Sequence, residues 1–82
     1  MSLSREKVLE SIAQIVHDET GIDKGSVQLD KAFVDDLDID SISMMTIVVN
    51  AEEKYGIEIP DDKVRELRTV GDAVDFIIAA KA

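Results

Sequence analysis

From Ser41 to Tyr55 the chain contains neither glycine nor proline; Asp40 stands before this run and Gly56 closes it. The stretch is long for a strand, and its two ends carry helix punctuation. An aspartate carboxylate can accept the backbone N–H groups left over at a helix start, and a glycine can take the left-handed turn that ends one. Ile42, Ile47, Val48 and Val49 are β-branched, but the length and the charged Glu52, Glu53 and Lys54 predict a helix. A second helix is predicted upstream. Val8, Ile12, Ile15 and Val16 recur at i, i+4, i+7 and i+8, Ser4 can cap the start and Gly21 the end, so the span is Ser4 to about Glu19.

Between these helices the segment through Gly25, Ser26 and Asp30 to Asp40 has no sustained period. It reads as a long loop, anchored by Leu29, Phe33 and Leu37, which are too apolar to lie together in water; long ordered loops in compact domains tend to be functional. Downstream, Ile57 and Ile59 form a short extended piece before Pro60, and Pro60-Asp61-Asp62 opens a short helix expected to reach about Leu67. Thr69 and Asp72 have the spacing of a capping box, with Asp in place of the preferred Glu, and Val70, Val74, Ile77 and Ile78 form the stripe of a last helix. The expected architecture is all-α, a four-helix bundle with three main helices, one short helix and a long loop between the first two. At 82 residues it is expected to be one domain, residues 1–82.

Composition narrows the function classes. Without cysteine there are no disulfides, thiolate metal sites or thiol nucleophiles, so packing alone must hold the fold, as suits a reducing cytoplasm. Met1 to Ser11 includes Arg5, Glu6 and Lys7 and no continuous apolar stretch, and no run is long enough to span a bilayer, so a cytoplasmic protein is expected. Eighteen acidic against nine basic residues give a net charge of −9, which repels nucleic acid and anionic lipid and favours basic partners. Asp35, Asp36, Asp38 and Asp40 fall within six positions, so the middle of the chain is where function is sought. An apolar fraction of 45% argues against a disordered acidic tail, and with only Phe33, Tyr55 and Phe76 aromatic the core must be mainly aliphatic.

Ser41, at the first turn of its predicted helix, sits where free backbone amides and the positive end of the helix dipole favour an attached phosphate, by about 0.3–1 kcal/mol. That is too little to identify a modification, because a serine at a helix start is ordinarily just a good N-terminal residue. Two other chemistries are weighed against it. Asp36-Leu37-Asp38-Ile39-Asp40 opens like a calcium-binding EF-hand loop, but position six is Ser41 instead of glycine and position twelve is Ile47 instead of glutamate, so no metal site is expected. A Ser-His-Asp hydrolase would need His17, the lone histidine, which lies far from Ser41 in sequence, and no Gly-x-Ser-x-Gly elbow surrounds Ser41. No catalytic residue is expected, and His17 reads as an ordinary surface residue.

The wider assembly is more specific. Phe33-Val34-Asp35-Asp36-Leu37-Asp38-Ile39-Asp40-Ser41-Ile42-Ser43-Met44 is followed by Glu52-Glu53-Lys54-Tyr55-Gly56-Ile57-Glu58-Ile59-Pro60; with Gly21-Ile22 and Leu67-Arg68-Thr69-Val70-Gly71-Asp72, this sequence resembles the acyl carrier protein family over nearly its whole length. The resemblance implies that Ser41 carries 4′-phosphopantetheine, added from coenzyme A by a magnesium-dependent phosphopantetheinyl transferase. The thiol of that group holds acyl intermediates as thioesters. Ile42 replaces the family's usual leucine, a same-volume change expected to preserve attachment. The chain resembles the discrete carriers of bacterial fatty acid synthesis. A carrier for a dissociated polyketide pathway, or an acidic interaction module without a prosthetic group, are the alternatives.

The resemblance also implies that the loop before Ser41 and the helix after it meet acyl-processing enzymes with basic docking patches. Asp35, Asp36, Asp38, Asp40, Glu52 and Glu53 would supply the charge, with Ile42, Met45 and Val49 as an apolar contact strip at i, i+3 and i+7. If that strip is exposed, the opposite face, with Ile47, Val48, Ala51 and Tyr55, is the buried one. A concentrated negative field speeds encounter with a basic partner and weakens with salt, as suits a monomeric carrier that visits many enzymes. The small Ala51 and an aliphatic core suggest a bundle able to part around an acyl chain.

Overall fold

The computed structural model describes residues 4–81. Met1 to Leu3, part of the stretch inspected for a signal peptide, and Ala82, the last residue of the expected domain, lie outside the described residues. The elements in chain order are α1 (Arg5–Thr20), a 3-10 turn (Lys24–Ser26), α2 (Ser41–Tyr55), α3 (Asp61–Val64) and α4 (Val70–Lys81). Among the described residues the β structure is a single isolated antiparallel bridge between Ala32 and Thr69.

The main helices begin where their caps dictate, and α1 and α2 end on glycines. The Ser4 hydroxyl accepts the Lys7 N–H at 3.1 Å, and α1 closes on Gly21, whose φ of 80° is easily reached by glycine. Its last turn is latched by two side chains: the Thr20 hydroxyl donates to the Val16 carbonyl at 2.7 Å, and His17 Nδ1 donates to the Ile22 carbonyl at 2.9 Å. At the start of α4 the capping box is reciprocal. The Asp72 N–H donates to Thr69 Oγ1 at 3.1 Å and the Thr69 N–H donates to Asp72 Oδ2 at 3.2 Å, so the shorter acid still reaches back.

Two boundaries differ from expectation. The short helix stops at Val64 instead of near Leu67, because the N–H groups of Glu66 and Leu67 bond to carbonyls three residues back, at Lys63 and Val64, and the chain tightens out of the α-helix. The expected long loop also contains the unanticipated turn Lys24–Ser26, started by Asp23, whose carboxylate accepts the Gly25 N–H.

The helix α1 packs against both α2 and α4, and the core is formed where these three meet. Val8, Ile12 and Val16 of α1, Ile47, Val48 and Ala51 of α2, and Val70, Val74 and Ile77 of α4 are buried, with Ile15 and Ile78 half-buried at the margins. The loop contributes Val27, Phe33 and Ile39 to the same core, whereas Leu29 and Leu37 pack on it half-exposed. One consequence of this packing is specific. Gly71 lies so close to the loop that an added Cβ would stand 2.9 Å from the Leu29 carbonyl oxygen, the same oxygen that accepts the Gly71 N–H. Gly71→Ala should therefore destabilise by about 1–3 kcal/mol, more than any gain in helix propensity, and a lower urea midpoint with unchanged slope would register it.

Candidate functional site

The segment Ala32–Asp40 has no period in its sequence because its hydrogen bonds follow none. The Ala32 carbonyl accepts the N–H groups of Asp36 and Leu37, and the Phe33 carbonyl accepts that of Ile39, each at 3.0 Å. The Asp36 carboxylate returns to the Ala32 N–H at 2.7 Å. Further bonds tie this segment and the residues before it to the α3–α4 connector and the first turn of α4: Phe33 N–H to the Arg68 carbonyl, Val70 N–H to that of Lys31 and Gly71 N–H to that of Leu29. With these bonds made and Phe33 and Ile39 buried, the loop delivers the chain to α2 in a fixed place.

The last bend before α2 is made by Asp38, the one non-glycine residue with positive φ, 56°, among those described. A side chain in this left-handed region costs about 1–2 kcal/mol, less for aspartate, while glycine there would raise the entropy of the unfolded chain by a comparable amount. Asp38→Gly should thus shift stability by less than about 1 kcal/mol. Asp38→Val should lose about 1–3 kcal/mol, a contrast readable in paired melting curves.

Asp40 then caps α2, its carboxylate accepting the Ser43 N–H at 2.7 Å. The Ser43 N–H first, then the Ser43 hydroxyl and the Ile42 N–H hold the carboxyl below its ordinary value of 3.8, against a small opposing effect of burial. Because the folded pKa lies below the unfolded one, the stabilisation is present above about pH 3.8 and is lost as pH falls through the lowered folded value. Asp40→Asn keeps an acceptor without the charge, so below pH 4 its stability should fall less steeply than that of the unaltered protein, as urea midpoints across pH would show.

Ser41 is the first residue of α2, exposed, with no side-chain hydrogen bond among the described residues. It opens on a cleft of about 630 Å³ whose walls are the loop, α2 and the α3 region. Phe33, Met44, Val64 and Leu67 form the apolar side of the cleft; Arg65 and Arg68 also line it. An extended, mostly apolar group bonded to Ser41 Oγ fits this setting: its phosphate would sit at a helix N-terminus and its chain beside an apolar wall. Deeper in the core, Ala51 borders a void of about 20 Å³ together with Ile12, Phe33, Met44 and Ile77. That is room for about one water, so an acyl chain could enter the core only if the helices part.

Around Ser41 the structure exposes the strip Ile42, Met45 and Val49, while Met44, Ile47, Val48 and Ala51 are buried and Tyr55 is half-buried. Val34, 58% exposed, is a further apolar residue on the loop that the helical spacing did not reveal; its sign in the sequence is its position next to the buried Phe33. The acids fall into two groups. Asp36 and Asp40 are occupied with backbone N–H groups, and Glu52 accepts the Ile59 N–H at 2.7 Å, holding the chain that leaves α2. Asp35 stands 3.7 Å from Arg68, both largely exposed, whereas Asp38 and Glu53 have no ion pair among the described residues.

The spacing that resembled a calcium loop does not converge: Asp36 and Asp40 turn to the Ala32 and Ser43 amides, and no metal-holding group of three His, Asp or Glu occurs among the described residues. His17 is exposed at the end of α1 and does not line the Ser41 cleft. No helix of the described residues is long and apolar enough to cross a membrane.

Comparison with known proteins agrees with this geometry. Residues 10–77 match the family model described as the phosphopantetheine attachment site. The chain is 62% identical over 79 residues to an acyl carrier protein of Renibacterium salmoninarum, covering 96% of this chain and 98% of that one. It is 57% identical, over the full length of both, to one from Beutenbergia cavernae. A solved structure of the acyl carrier protein from Enterococcus faecalis superposes with a TM-score of 0.78 at 37% identity, covering 95% of this chain and 99% of that one. A serine at the start of a capped helix, a loop-bounded cleft, a four-helix fold and matches that span the chain lead to one conclusion: the chain belongs to the acyl carrier protein family and contains its phosphopantetheine attachment domain.

Proposed function

We propose that this chain works as a monomeric carrier of acyl groups in bacterial fatty acid synthesis, with Ser41 as the attachment residue and no catalysis of its own. The observation that carries the assignment to Ser41 is its place: exposed at the first turn of α2, its hydroxyl unengaged, at the rim of the cleft, within the span that matches the attachment-site family. Attached 4′-phosphopantetheine supplies the thiol on which acyl groups are held as thioesters. Asp40 fixes the start of α2, Asp36 and Phe33 fix the loop, and together they hold Ser41 where a transferase can reach its hydroxyl.

The same face suits recognition. Ile42, Met45 and Val49 form an exposed apolar strip on α2, Val34 and Asp35 are exposed on the loop that shares the cleft with Met45, and Asp38 and Glu53 are exposed as well, a combination complementary to enzymes with a basic rim around an apolar patch. Asp36, Asp40 and Glu52 add to the field while serving the fold. In the cytoplasm such a carrier would meet its partners by charge steering and release them quickly.

The test is intact mass with peptide mapping after incubation with coenzyme A, magnesium and a broad-specificity phosphopantetheinyl transferase. A single phosphopantetheinyl gain mapped to Ser41 is expected. No gain on a folded apo chain would leave a carrier fold acting as an acidic interaction module.

A further inference from the structure

We infer that Arg65 and Arg68 form an anion-receiving edge of the Ser41 cleft, which draws a negatively charged group on the attached arm, the arm's phosphodiester or a carboxylate on its cargo, toward the α3 side. The inference deepens the carrier reading and rests on Ser41 as the attachment point.

The molecule carries a net charge of −9, and Asp35, Asp36, Asp38 and Asp40 crowd the chain leading to Ser41. Any anion attached at Ser41 therefore meets repulsion from the loop side. The opposite wall brings cations as well as an acid. Arg65 and Arg68 line the cleft, and the acids that line it with them are Asp35 and Asp61. Lys63, the third cation of this stretch, is turned to Glu66 at 3.3 Å and does not line the cleft.

The two guanidinium groups are also available. Arg65 has no ion pair among the described residues, and Arg68 has only the 3.7 Å contact with Asp35, with side chains 77% and 72% exposed. Such a pair is weak and exchanges readily. A carboxylate or phosphodiester tethered at Ser41 competes intramolecularly, at an effective concentration on the order of millimolar, and a guanidinium can take it in a two-pronged bond that a lone lysine cannot offer. The apolar side of the cleft, Phe33, Met44, Val64 and Leu67, lowers the local dielectric and strengthens the attraction. Cargo charge would thus bias where the arm lies, a distinction between carboxylated and neutral acyl groups made by the carrier itself.

The test uses the full-length ¹⁵N-labelled chain, loaded on Ser41 from coenzyme A, malonyl coenzyme A or the nearly isosteric but neutral acetoacetyl coenzyme A. The arginine Nε–H resonances are assigned with Arg65→Gln and Arg68→Gln. If the cargo carboxylate is received, these resonances shift with malonyl and not with acetoacetyl; if the phosphodiester is received, they shift on conversion to the unacylated form and change no further. Either shift should be enlarged by Asp35→Asn and largely lost at 1 M salt, where the Debye length is about 3 Å. Unmoved arginine resonances in all three loaded forms, or equal extra shifts from the two cargos, would overturn the inference. Failure of the attachment reading is separate and earlier, since it appears as no mass gain on Ser41.

Discussion

Ser41→Ala should abolish phosphopantetheinylation completely while leaving the fold unchanged. The side chain is exposed, its hydroxyl makes no hydrogen bond among the described residues, and the cap of α2 belongs to Asp40. A surface substitution of this kind stays within about 0.5 kcal/mol of the parent, and alanine is a good residue inside a helix. The check is a pair of measurements on one sample: intact mass after exposure to transferase and coenzyme A, and a thermal melt. Loss of the mass gain with an unchanged melt assigns the attachment to Ser41. Persistent gain in the variant would move it to another hydroxyl, with Ser43, one turn-position further along α2 and half-buried, the first to map.

Phe33→Ala should have the largest effect on stability, about 3–5 kcal/mol, the usual cost of emptying a buried aromatic site. Phe33 is 1% exposed and is the largest fully buried side chain. A chain of this size is stable by only about 5–15 kcal/mol, so the variant should be partly unfolded at moderate temperature. The damage should not be confined to the core. Alanine keeps the main-chain bonds of this position to Arg68 and Ile39, but the buried ring that anchors the segment is gone, so the loop that places Ser41 and one wall of the cleft loosen together. Phe33→Leu, which refills much of the volume, should recover most of the stability. Urea midpoints of the two variants would show this, and a Phe33→Ala loss below about 1 kcal/mol would mean that the loop is not anchored through this residue.

The two predictions draw on different levels of organisation, and the division holds across the molecule. The helices were legible because their causes are local. Ser4, Asp40 and the Thr69–Asp72 pair supply acceptors within three residues of the N–H groups they satisfy, and Gly21 and Gly56 tolerate the positive φ that ends a helix. The setting of Ser41 was legible for the same reason, since it is a helix start and the residues beside it.

What surrounds Ser41 was less so. The two faces of α2 have nearly equal apolar character in sequence, and only packing against α1 and the loop decides that Ile47, Val48 and Ala51 turn inward and Ile42, Met45 and Val49 outward. Equally, nothing within the run of acids separates Asp36 from Asp38; the backbone of Ala32 takes one carboxylate, and the reversal of the chain at positive φ carries the other outward. Arg65 and Arg68 come to share a cleft with Ser41 through hydrogen bonds between segments more than thirty residues apart, Phe33 to Arg68 and Lys31 to Val70. The helix caps and the place of Ser41 at a helix start are thus determined by the sequence alone, because each depends on contacts a few residues long. The exposed strip, the cleft and its basic edge are decided by the tertiary structure, because they exist only where distant segments close on one another.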